Sequence, residues 1–83
     1  MNELACCKNS SWVLERDLGS AGGFEYSLGK CGGCATPWMG VFSVASGVSG
    51  YERVTPADVA AICAIEDRRE LKAFMRNWGE ENL

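Results

Sequence analysis

No histidine occurs anywhere in the 83 residues. That absence removes the one side chain whose unperturbed charge change falls near neutral pH, and with it the ordinary acid–base and nucleophile–base pairings. It also removes every mixed cysteine–histidine metal set. A basic excess is missing too: 8 Lys and Arg stand against 11 Asp and Glu, a net charge of −3. A mildly acidic balance argues against nonspecific nucleic-acid binding by the chain as a whole. No apolar run approaches the roughly 20 residues that span a bilayer, and residues 1–11 lack the apolar centre of a secretion signal. The expectation is a cytoplasmic protein without a membrane partner. In a reducing compartment, clustered cysteines are metal ligands more often than disulfides.

Five cysteines are present, and four of them form two pairs. Cys6 and Cys7 adjoin near the start; Cys31 and Cys34 bracket two glycines in Lys30-Cys31-Gly32-Gly33-Cys34. The second spacing lets two thiolates converge on one ion while backbone amides turn toward the sulfurs. With the first pair it makes a set of four, and Cys63 is left over as a small core residue of a helix. The first pair admits two readings: both adjacent thiols ligate, or one is a bystander. A chain this short has a small core, for which a metal is a common staple.

The segment between the pairs alternates in the manner of a ribbon hairpin. Trp12, Leu14 and Leu18 share one face at period two, interrupted by Arg16 on that face. Gly19-Ser20-Ala21-Gly22-Gly23 is a turn, and Phe24, Tyr26 and Leu28 then point inward. Trp38 to Ala45 reads as a third strand, Ser46 to Gly50 as a flexible hinge, and Tyr51 to Val54 as a short edge strand. Thr55-Pro56-Ala57-Asp58 starts a helix that runs to about Ile65, with Val59, Ile62 and Cys63 on its buried side. Asp67 caps a second helix with Leu71, Phe74, Met75 and Trp78 at i, i+3, i+4 and i+7, and Gly79 is its expected stop. The two apolar stripes are roughly 120° out of phase, which requires a break near Glu66-Asp67.

The cysteine layout and hairpin resemble the zinc-ribbon class, including rubredoxin-like domains, over roughly residues 4 to 45. That class expects a C-x-x-C at both ends; here Leu4 and Asn9 stand at the positions that would complete the first, and Ala35 replaces the usual glycine after the second. The resemblance implies a small three-stranded antiparallel zinc ribbon followed by two C-terminal helices, an α+β fold. It forms one domain over 1–83, with a ribbon part over 1–45 and a helical part over 55–79. It implies one zinc ion on Cys6, Cys7, Cys31 and Cys34, a ligand set that also accepts iron.

Four thiolates close the coordination sphere, so the expected function is noncatalytic: a zinc-binding module acting as a protein-interaction adaptor or regulator, monomeric, and not an enzyme. One alternative is a nucleic-acid-binding or transcription-associated ribbon. Its support is a basic stripe of Arg68, Arg69, Lys72 and Arg76 on the last helix, with Trp38 at the ribbon tip as a further contact. A solvated helix face is the competing explanation of that stripe. The second alternative is a thiol redox protein using Cys31 and Cys34. It lacks the strand–helix setting that lowers a thiol's pKa in that role.

Overall fold

The computed structural model describes residues 4–83 and is α+β. Four strands form one antiparallel sheet in sequential order: β1 (Trp12–Ala21), β2 (Phe24–Cys31), β3 (Pro37–Ser43) and β4 (Ser49–Arg53). Two helices follow, α1 (Pro56–Ala64) and α2 (Arg68–Asn82). The expected three-stranded sheet is therefore a four-stranded one. The residues read as a hinge instead close the β3–β4 hairpin. Gly47 sits at φ +73° and donates to Ser43 O at 2.8 Å, while Ser43 donates to Val48 O. Those two bonds fold the chain back tightly enough for Ser49–Arg53 to pair fully with β3.

Pairing between β1 and β2 slips twice, between Leu14 and Arg16 and between Asp17 and Gly19. Each slip is a bulge, and each reverses the face to which the next side chain points. Leu14 pairs with Gly29, Arg16 with Leu28, and Asp17 with Ser27. Leu14 is consequently 57% exposed on the side away from the helices, while Leu18 is 6% exposed within the core. The single apolar face expected for Trp12, Leu14 and Leu18 is thus split between the two sides of the sheet. Simple alternation fails because two extra residues are inserted between its ends.

On the helix side, Leu18, Tyr26, Leu28, Met39 and Val41 meet Ile62, Leu71, Met75 and Trp78. Phe24, Val59, Ile65 and Phe74 pack at the margin. Tyr26 and Trp78 meet edge to face with centroids 5.9 Å apart. Thr55 accepts from the Asp58 amide at 3.1 Å and Asp67 from the Arg69 amide at 2.8 Å, so both helix starts are capped as their sequences imply. The end of α1 has no basic residue of its own in its last turn. Arg16 serves instead: its guanidinium donates to Ile62 O at 2.9 Å and Ile65 O at 3.1 Å. The charge that interrupts the apolar strand pattern therefore satisfies the orphan carbonyls of a helix about fifty residues away.

Two helical expectations need correction. Cys63 is exposed and lies outside the core, because the turn that buries Ile62 directs its neighbour outward. Gly79 does not end α2; it is buried inside the helix, and a Cβ there would strike the Tyr26 hydroxyl. Helix propensity alone favours Gly79→Ala by about 1 kcal/mol. Gly79→Ala is nevertheless expected to lower stability by ~1–2 kcal/mol in denaturant titration, as overpacking does. The same substitution in a Tyr26→Phe background is expected to be neutral or stabilising, and a loss of equal size there would contradict the clash.

Candidate metal centre

Cys31 is the last residue of β2, and the turn that follows carries the chain through Gly32, Gly33 and Cys34 toward β3. The turn is closed by Ala35 N–H to Cys31 O at 2.8 Å and by Cys31 N–H to Thr36 O at 2.9 Å. Ala35 takes φ +62°, so the position where ribbons use glycine keeps the left-handed conformation without it. The opposite knuckle is held by one hydroxyl: Ser10 Oγ donates to Cys7 O at 2.7 Å and accepts from Cys7 N–H at 3.3 Å. The two knuckles meet at Gly33, where a Cβ would lie 2.5 Å from Asn9 O and 3.0 Å from Cys7 Sγ. Only glycine lets the loops approach this closely.

The sulfurs of Cys6, Cys7, Cys31 and Cys34 all lie within 4.8 Å of one another. Cys7 and Cys31 sulfurs are 3.6 Å apart, and Cys6 and Cys34 sulfurs 3.3 Å. Tetrahedral zinc with bonds near 2.3 Å sets its sulfurs about 3.8 Å apart, so the cluster has the dimensions of a thiolate metal site. All four are free thiols. Both adjacent cysteines belong to the cluster, so either or both are within reach of a shared ion, and Cys63 is not in it.

The surroundings favour thiolates at two of the four. Cys31 is lowered to about 6, chiefly by the Ser11 backbone amide and then by the amides of Cys34 and Gly33. Gly33 N lies 3.3 Å from its sulfur. Cys34 is lowered by the hydroxyl and amide of Thr36, whose Oγ1 lies 3.1 Å from the sulfur. Cys7 is raised, first by burial and then by the Cys31 thiol beside it. A cation among the four would relieve that opposition, since it favours every thiolate at once. Ser10, Ser11 and Thr36 are thus functional neighbours that the cysteine count misses. Their signal is position, because hydroxyl residues next to a ligand can turn back onto its sulfur or backbone.

Arg68, Arg69, Lys72 and Arg76 are exposed along α2, on the other side of the sheet from its open face. Trp38 is 4% exposed, with the Arg53 guanidinium 5.2 Å from its ring centroid, so Arg53 rather than the indole meets solvent there. No helix among the described residues is long and apolar enough to cross a membrane. Comparison with protein-family models, with curated proteins and with solved structures gives no match for the chain.

Cys31→Ser and Cys34→Ser are expected to lose metal, and Cys63→Ser to keep it, as read by elemental analysis of purified variants. In chelated protein at pH 7, exposed Cys34 is expected to alkylate before Cys7, whose thiol holds its proton. In the metal-free chain the depressed Cys31 thiol contributes stability that is full above the ordinary thiol value of 9.0 and is lost as pH falls through about 6. The melting temperature of chelated Cys31→Ser is therefore expected to depend less on pH between 9 and 6 than that of the chelated parent chain. Identical pH profiles for the two would contradict a stabilised Cys31 thiolate.

Proposed function

We propose that the chain is a noncatalytic zinc-binding module of the zinc-ribbon type, acting in the cytoplasm as a protein-interaction adaptor or regulator. The observation that carries this reading is the convergence of four thiols from two loops remote in sequence. Four protein ligands leave zinc no open position for a substrate, which is the mark of a structural site. Residues 4–11 form no helix or strand, so a metal would fasten this segment to the end of the sheet. A redox role has less support. Cys34 leads through a turn into β3, and the lowered Cys31 and Cys34 thiols sit among turn amides, the Thr36 hydroxyl and two further sulfurs rather than at the helix start typical of a dithiol redox motif.

The remaining surface supports binding rather than catalysis, with the molecule acting as a monomer because its own sheet covers the apolar stripe of α2. The exposed Arg68, Arg69, Lys72 and Arg76 favour a second reading in which α2 tracks a phosphate backbone. Reversing Arg68, Lys72 and Arg76 to glutamate tests it: salt-sensitive binding to duplex or single-stranded DNA should vanish, with fold and metal intact.

Protein purified without added metal is expected to contain one zinc per chain, and a coloured iron–thiolate form would identify iron instead. Structural zinc contributes on the order of 10 kcal/mol of apparent folding free energy in small domains. Chelation is therefore expected to lower the melting temperature sharply. A metal-free native protein whose melting temperature ignores chelator would overturn the reading.

A further inference from the structure

The side of the sheet turned away from the helices carries a groove of about 540 Å³. Pairing across the four strands lays its residues out in rows. Asp17, Ser27, Gly40 and Tyr51 form one row; Ser20, Glu25, Phe42 and Ser49 form the next. Trp12 closes one end. Its ring lies over Gly29 and Gly40, where added Cβ atoms would stand 2.5 Å and 3.2 Å from it, and it meets Tyr51 at 5.0 Å between centroids with a 47° tilt. Glycine in the floor is what lets the indole lie down and leaves room above Ser27. Phe42 remains 38% exposed on the far side.

Two carboxylates border this aromatic bed, and neither Asp17 nor Glu25 has a cationic partner among the described residues. The nearby cations are engaged elsewhere: Lys30 lies 3.7 Å from Glu15, and Arg53 stands over Trp38. Asp17 spends one oxygen on the Gly19 amide at 3.0 Å and keeps the other free. Aromatic faces beside unpaired carboxylates are complementary to a cation on an aliphatic stem. The same carboxylates repel phosphates, which disfavours nucleic acid on this face. A second copy presenting its basic α2 would join unlike surfaces, a heterologous contact that builds rings or filaments and not the common two-fold dimer.

We infer that this open face docks an extended segment of a partner protein through a lysine or arginine side chain. Its cation lies between Asp17 and Glu25, and its stem lies along Phe42 and Tyr51. The inference deepens the protein-binding reading above and rests on it.

The test is ¹⁵N-NMR titration of the zinc-loaded full chain with capped tetralysine, and in parallel with capped tetraglutamate and a short oligothymidylate. Tetralysine is expected to shift the amides of Asp17, Glu25, Ser27, Phe42 and Tyr51, with tetraglutamate and oligothymidylate leaving them in place. Asp17→Asn with Glu25→Gln should weaken binding about tenfold or more, as loss of charge-assisted hydrogen bonds does. Glu80→Gln with Glu81→Gln should leave it unchanged. Zinc content and melting temperature are read on every variant. Retained zinc with no tetralysine shifts overturns the groove while leaving the metal module standing. Shifts that survive the Asp17/Glu25 variant, or that oligothymidylate produces instead, overturn it as well. Absent zinc is a separate failure, of the metal reading.

Discussion

Two residues more than the partner strand needs are threaded into β1, and the character of both sheet faces depends on them. Without the bulges, Trp12, Leu14, Arg16 and Leu18 would all lie on one side. With them, Leu18 enters the core, Arg16 reaches the end of α1, and Trp12 with Leu14 furnishes the opposite face. A strand bent in this way twists more strongly than a regular one. The helix side becomes a closed apolar layer, and the other side becomes a surface of aromatic rings, hydroxyls and carboxylates.

The cysteine cluster sits at the end of the same β1–β2 ladder. Trp12 pairs with Cys31, so the first residue of the ladder and the last share one register position. The Gly32 amide donates to Ser11 O at 2.9 Å, and this bond aligns the N-terminal loop with the turn before any metal is considered. Loop-closing contacts of this kind do most for a chain with little core to spare. Helices and cysteine cluster thus adjoin different parts of the sheet: α2 lies across β1 and β2 through Tyr26 and Trp78, and the four thiols gather at the far tip.

Charge is distributed between two surfaces. Basic residues line α2, while Asp17 and Glu25 border the open sheet face. A net charge of −3 does not disclose this division, because it sums over the whole chain. Arg16 and Arg53 are both occupied: one caps a helix, and the other, on the side of β4 that carries Tyr51, covers a buried indole. Cations held by carbonyls or rings are poorly placed to serve a partner, so a count of basic residues overstates what α2 and its surroundings can offer.

Features that depend on neighbours in sequence were legible from the residues alone. The Thr55 and Asp67 caps and the apolar stripe of α2 follow from local spacing, since local backbone preference is set by nearest neighbours. The glycine turn before Phe24 was legible as a turn but not in its length: β1 continues through Ala21, so Gly19, Ser20 and Ala21 belong to the strand and only Gly22 and Gly23 turn. The cysteine set was legible as two local pairs, and the hairpin brings them together. The fourth strand was legible only as a fragment at Tyr51–Val54, because its formation relies on β3 as template. Four matters were decided by tertiary structure: the side of the sheet that receives Leu14, the task of Arg16, the place of Gly79 inside a helix and the exposure of Cys63. Each turns on a group distant in sequence, namely β2 opposite a bulge, the α1 carbonyls, the Tyr26 hydroxyl and the packing of Ile62. A residue's own spacing carries no information about a partner that only folding brings beside it.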